Sequence, residues 1–201
     1  MISHRHRCVF THVPKTAGKS VLAIFGLPML ERDYDGHLHY IEDAHGHQPL
    51  SSLRDRSAFA YFKFAFVRNP WDRLVSAFHY LDRGGCNALD QAFRDAHLAR
   101  YAGDFTAFVH DLDRHMGGLH LRPQCHWLCD DEGRVLADFV GRFETLTADF
   151  GIVAARLELP RMLPCLNTSE HRFYREYYDP DTCAIVHRRY RQDIEAFRYQ
   201  F

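Results

Sequence analysis

Apolar and polar positions fall along this chain in blocks that alternate between strand, loop and helix. Near the N-terminus a continuous apolar run, Cys8-Val9-Phe10-Thr11-His12-Val13, predicts a buried strand. Pro14 stops it, because proline cannot donate to a sheet ladder. Lys15 to Ser20 makes a turn rich in small residues, and the apolar run from Val21 to Phe25 continues it as a helix. Glu31 to Gln48 is polar and dense in His, Asp and Gly. It carries no strong period and reads as a loop with one short strand near His39-Tyr40-Ile41; long irregular segments in compact domains are often functional. Pro49 to Ser57 predicts a short helix with Leu50 and Leu53 at helical spacing.

The second strong apolar run, Tyr61-Phe62-Lys63-Phe64-Ala65-Phe66-Val67, predicts a central strand covered by helices on both faces. A helix follows at once. Asn69 is its N-cap, Pro70 suits the first helical position and Asp72 lies in the first turn. Trp71, Leu74, Val75 and Phe78 form its apolar stripe, while Asn69, Arg73, Ser76 and Tyr80 fall on another face. Trp71 and Phe78 are expected in the core. Further helices are predicted over Asn87 to His97, Asp104 to His115 and Leu146 to Leu157, and from Asp179-Pro180 through Val186, Tyr190, Ile194 and Phe197. Gln124 to Cys129 and Val135 to Phe143 read as short extended segments around the turn Asp130 to Gly133. Repeated strand–loop–helix units favour an α/β fold with a mainly parallel central sheet flanked by helices, in one domain spanning 1–201.

Composition narrows the function classes. A chain of 201 residues is long enough for one sizeable core, and a formal net charge of −1 gives no global field for nucleic acid or an anionic membrane. Any anion site must be local. No apolar run approaches the roughly 18 residues of a membrane span, and no signal peptide precedes the first strand, so a cytoplasmic location is expected. The six cysteines are expected as free thiols. Cys125-His126 with Cys129 lacks a second pair at ligand spacing, so no metal is expected.

The candidate chemistry begins at the turn after the first strand. A strand, a tight turn and a helix N-terminus bring free backbone N–H groups and the helix dipole to one place, which suits an anion. Lys15, Thr16, Ala17, Gly18, Lys19 and Ser20 line this turn. Gly18-Lys19-Ser20 fits the end of the G-x-x-x-x-G-K-[ST] phosphate loop, but Val13 stands where the first glycine belongs. The alternative is a surface turn with solvated lysines. Arg68, leaving the central strand, is a second anion candidate with Ser76 on the following helix, or a structural partner of Asp72. In parallel sheets ligands sit at the carboxyl ends of strands, where Lys15 and Arg68 both fall.

Pro14 to Ser20, together with Phe64-Ala65-Phe66-Val67-Arg68-Asn69-Pro70-Trp71-Asp72-Arg73-Leu74-Val75-Ser76-Ala77, resembles the PAPS-dependent sulfotransferases. The likeness is to the family-2 branch, with its bacterial members and Golgi carbohydrate sulfotransferases such as heparan sulfate 2-O-sulfotransferase. It extends over nearly the whole chain. The resemblance implies a P-loop-like sulfotransferase fold and 3'-phosphoadenosine 5'-phosphosulfate (PAPS) as donor. Lys15 to Ser20 would grip the 5'-phosphosulfate, Arg68 and Ser76 the 3'-phosphate. Asn167, Thr168 and Ser169, with His171 and Arg172, match the place of a late loop over the nucleotide. The acceptor is then a free hydroxyl, by analogy on a glycan or glycolipid, with another small-molecule alcohol as the alternative. His47, then His45, match a His-x-His pair of the heparan 2-O branch as the base, with His37 and His39 as rivals. Lys15 would stabilise the leaving group. The rival classes are a phosphotransferase or NTPase using Gly18-Lys19-Ser20 and a non-catalytic nucleotide-binding protein.

Overall fold

A computed structural model of the chain describes residues 1–26, 47–164 and 171–201, and the backbone of two short strands at 31–32 and 38–39. His37, Tyr40, Ile41 and His45, and the loop residues Asn167, Thr168 and Ser169, lie outside the described residues. The described chain forms two compact units: one from 1–26, 47–68 and 124–164, the other from 69–123 and 171–201.

The first unit is built on a four-stranded sheet in the order β1 (Ile2–Ser3), β2 (Cys8–Thr11), β5 (Phe62–Val67), β6 (Phe139–Arg142); β3 (Glu31–Arg32) and β4 (Leu38–His39) stand outside it. β1 runs antiparallel to β2, and β2, β5 and β6 run parallel, with Phe10 opposite Phe64 and Val67 opposite Arg142. This is the mainly parallel α/β sheet that the apolar runs predict. Side chains alternate across it, as the two-residue strand period requires. Cys8, Phe10, Phe64 and Phe66 meet Val21 and Leu22 of α1 (Gly18–Ile24) and Phe150, Val153, Ala154 and Leu157 of α6 (Leu146–Leu157). On the other face Val9 packs with Leu50, Ala58 and Tyr61. The Phe66 ring lies over Gly141, where an added Cβ would sit 2.5 Å from Cε1, so β6 approaches β5 only with glycine at this place.

The second unit is helical. Asn69 caps α2 (Pro70–Asp82), accepting from the Trp71 N–H at 3.1 Å, with proline in the first turn as expected. Trp71, Leu74, Val75, Phe78 and Leu81 of α2 are buried against Leu98, Phe105, Phe108, Val109, Val186 and Tyr190. The ring of Phe78 meets those of Phe105 and Phe108 at 5.4 and 5.0 Å. Tyr174, Tyr177 and Tyr178 pack on the same core.

Several elements differ from the sequence pattern. The helix over Asn87 to His97 is α3 (Ala88–Phe93) followed by a π-turn and a 3-10 turn, and that over Asp104 to His115 is α4 (Phe105–His110) followed by a 3-10 turn. Gln124 to Cys129 is not extended: α5 (Cys125–Leu128) forms there, closed by Cys129 N–H to the Cys125 carbonyl at 2.8 Å, and only Cys129 bridges to Val135. Gln124, the residue before α5, spends its side chain on the backbone of Arg68. The last helix is two, α7 (Pro180–Arg189) and α8 (Arg191–Phe197). It breaks at Tyr190, whose buried hydroxyl donates to the Leu121 carbonyl at 2.6 Å.

Candidate active site

The loop after β2 has the conformation an anion cradle needs, and it reaches it without the usual glycines. Lys15 and Ala17 both take left-handed backbone angles, φ 70° and φ 64°. Such residues cost about 1–3 kcal/mol each and cluster at functional sites. Alternation of right- and left-handed residues turns successive N–H groups into one concavity, the nest that holds anions. Around it the loop is fastened. Thr16 is fully buried and donates its hydroxyl hydrogen to the Val13 carbonyl at 2.9 Å. The N–H groups of Ser20 and Val21 close on the Ala17 carbonyl at 3.0 and 3.3 Å, which starts α1. Thr16 is thus a structural pin through its side chain, while Lys15 and Lys19 keep half-buried positions on the loop and α1.

Arg68 comes to the same loop. Its side chain donates to the Lys15 carbonyl at 3.4 Å, and its guanidinium lies 4.1 Å from the centre of the Phe143 ring. Its backbone is held from behind: Gln124 Oε1 accepts from the Arg68 N–H and Gln124 Nε2 donates to the Arg68 carbonyl, both at 2.9 Å. A buried amide side chain here extends the ladder by one rung past the end of β5. The sequence pattern brought Lys15 and Arg68 to the carboxyl ends of neighbouring parallel strands, and the structure places them there. Ser76 is fully buried on α2, in the second unit.

His47 is the described member of the candidate base pair, and it lies at this loop. Its Nδ1 is 2.6 Å from the His12 carbonyl oxygen. A carbonyl only accepts, so Nδ1 carries the hydrogen and the neutral ring keeps its lone pair on Nε2, the nitrogen a general base needs. The His47 ring sits 4.2 Å from that of His12 and 5.9 Å from that of Trp127. His39 is described only as backbone in β4, and His45 and His37 lie outside the described residues.

Four residues to which the sequence assigned no role in the site belong to this arrangement. His12 is buried just past the end of β2, and its ring packs closely on Gly18. Its signal was a polar residue inside an apolar run. Gln124 and Phe143 hold Arg68, and nothing local in the sequence marks them. Trp127 is buried beside His47 with an indole N–H that has no hydrogen-bond partner among the described residues. Among the described residues no three His, Cys, Asp or Glu side chains form a group that could hold a metal, and no helix there is long and apolar enough to cross a membrane. A cavity of about 690 Å³ lies in the second unit, lined by Trp71, Tyr178, Cys183, His187, Tyr199 and Phe201 among others, and it includes none of the loop residues.

The chain is similar to known proteins along most of its length. It is 29% identical to carbohydrate sulfotransferase 14 of Mus musculus over 80% of this chain and 46% of that protein. It is 27% identical to carbohydrate sulfotransferase 8 of Homo sapiens, over 81% of this chain and 43% of the relative. An uncharacterized protein of Archaeoglobus fulgidus is 28% identical over 58% of this chain and 84% of its own length. The chain therefore spans about half the length of the curated sulfotransferases it matches. No solved structure matches it. A family model described as the sulfotransferase family matches residues 1–200. With the loop of Lys15 to Ser20 and Arg68 gathered at the ends of a parallel sheet, and the family model covering almost every residue, the chain belongs to the sulfotransferase family, in its family-2 branch.

Proposed function

We propose that this protein transfers a sulfuryl group from PAPS to a hydroxyl of a carbohydrate. The observation that carries the reading is the convergence of Arg68 and the left-handed loop of Lys15 and Ala17 on one place, with the Nδ1-protonated His47 beside it. The donor is a phosphate-bearing anion, and a backbone cradle with an arginine beside it supplies donors for it where the first glycine of a triphosphate loop is missing. Names of the relatives favour a carbohydrate acceptor.

The reaction needs positioning and charge stabilisation more than covalent participation, by the logic that governs phosphoryl transfer. The acceptor oxygen attacks sulfur in line. A new O–S bond forms as the S–O bond to the 5'-phosphate breaks, and adenosine 3',5'-bisphosphate leaves. His47 Nε2 takes the proton of the acceptor hydroxyl. The Lys15 ammonium and the loop N–H groups meet the negative charge that grows on the departing oxygen. These donors supply the positive field, so the reaction is expected to run without a metal.

Calorimetric titration with adenosine 3',5'-bisphosphate in EDTA, beside ATP with magnesium, tests the donor site. The expected result is tight binding of the bisphosphate only, weakened by Arg68→Ala. Preference for ATP with magnesium would move the protein to the phosphotransferases despite Val13 in the first glycine position.

A further inference from the structure

His12 is the buried residue of this site to which nothing above gives a task. It follows directly on β2, 7% exposed, and makes three close contacts. Its ring is parallel to that of Phe10, with centroids 6.0 Å apart and planes at 18°. On one side it lies against Gly18 so closely that a Cβ there would overlap His12 Cδ2, Nε2 and Cγ. On another it touches the His47 ring, at 4.2 Å between centroids, while its own carbonyl receives the His47 Nδ1–H.

We propose that His12 is a positioning residue, a wedge between Gly18 of the anion loop and His47 that fixes how far the base stands from the transferred group. The proposal rests on the reading of His47 as base and deepens it. Its physical content is steric. Gly18 starts α1, so the ring that fills the space left by the missing side chain determines where the loop N–H groups stand. The same ring backs the imidazole of His47, whose Nδ1–H is held by the His12 carbonyl, so ring and carbonyl of one residue together set its orientation. One aromatic body thus sets both halves of the reaction geometry. It also explains the glycine at position 18 without appeal to backbone freedom, because the requirement is the close approach of His12. Charge on His12 plays no part in the argument; a flat ring of the right size is what the contacts use.

The test compares His12→Ala, His12→Phe, Gly18→Ala and Gly18→Ala/His12→Ala. The readouts are affinity for adenosine 3',5'-bisphosphate, the nitrogen-15 signals of His47 identified by their loss in His47→Gln, and sulfuryl transfer from radiolabelled PAPS to a mixture of oligosaccharides. His12→Ala is expected to weaken bisphosphate binding about 10-fold, short of the loss in Gly18→Ala, to replace the single Nδ1–H tautomer of His47 by a mixture, and to slow transfer about 100-fold, the scale of a misplaced catalytic group. His12→Phe should restore the tautomer and most of the transfer rate. Gly18→Ala should lose bisphosphate affinity, and the double variant should regain affinity but neither the tautomer nor the rate. Equal loss in His12→Phe and His12→Ala would overturn the wedge, because the imidazole nitrogens would then be acting themselves. So would an unchanged His47 tautomer in His12→Ala, or a double variant that binds no better than Gly18→Ala. Full transfer by His47→Gln would instead remove His47 as base, and the affinities of the Gly18 and His12 variants would still decide whether the ring supports the loop.

Discussion

The two units differ in what their buried polar groups hold. In the first, at the loop after β2, side chains are spent on backbone: Thr16 on Val13, Gln124 on Arg68, Arg68 on Lys15 and His47 on His12. Two non-glycine residues there also hold left-handed angles. In the second unit, buried side chains answer one another. Asp90 accepts from the hydroxyl of Tyr80 at 2.5 Å, from His120 Nε2 at 3.0 Å and from Asn87 Nδ2 at 3.1 Å. Burial works against its charge, but the hydrogen bonds from His120 and Tyr80 win and hold its pKa at about 2. Arg73, 1% exposed, and Tyr190 there also reach backbone carbonyls, those of His120, Arg122 and Leu121, but among the described residues no strained loop lies beside them. A closed set of side-chain partners specifies a core. A backbone pinned in a strained shape presents its N–H groups to something else. The contrast separates a scaffold from a site.

That contrast is sharpest in turnover. Lys15→Ala should slow sulfuryl transfer by about 100- to 1,000-fold, the usual cost of removing one donor to a developing charge. The melting temperature should hardly move. Initial rates beside a thermal melt check this, and a large fall in melting temperature would make Lys15 a structural residue.

Next in size is Asp90→Asn, which should act the other way. Loss of the charged acceptor leaves Tyr80 and His120 with a poorer partner, at a cost of about 1–3 kcal/mol in unfolding free energy. Urea titration reads that figure, and bisphosphate affinity should be unaltered. The carboxyl also sets an acid limit. Its folded pKa is lowered, so its contribution is present above the unfolded value near 4 and is lost as pH falls through about 2.

A smaller effect lies at milder pH. Burial lowers the pKa of His79 and, more deeply in the core, of His115, whose Nε2 meets the Tyr101 hydroxyl at 2.7 Å. The unfolded chain therefore takes up protons first, and the second unit should lose stability as pH falls below about 6.5. His115→Gln should flatten that part of the stability–pH curve; an unchanged curve would mean that other groups control it.

The smallest expected effect tests the strain itself. Ala17→Gly removes the Cβ penalty at φ 64° and should stabilise the protein by about 1 kcal/mol. A loss of stability would show that the loop is not strained at this residue.

By itself the sequence determined the parallel sheet, the capped α2 and the meeting of Lys15 with Arg68. Each of these follows from local chemistry: continuous apolar runs bounded by Pro14 and Asn69, and the rule that ligands gather at the carboxyl ends of parallel strands. It also singled out His47 through a resemblance. Only the tertiary structure decided what holds those residues. Gln124 lies 56 positions from the Arg68 backbone it clamps, and His47 lies 35 from the carbonyl that fixes its tautomer. No periodicity records such pairs, because they are set by which strand neighbours which. For the same reason the extended pattern at Gln124 to Cys129 gave way to α5, and the last helix broke at Tyr190. Local propensity is worth tenths of a kcal/mol per residue, and a buried hydrogen bond that would otherwise go unmade outweighs it.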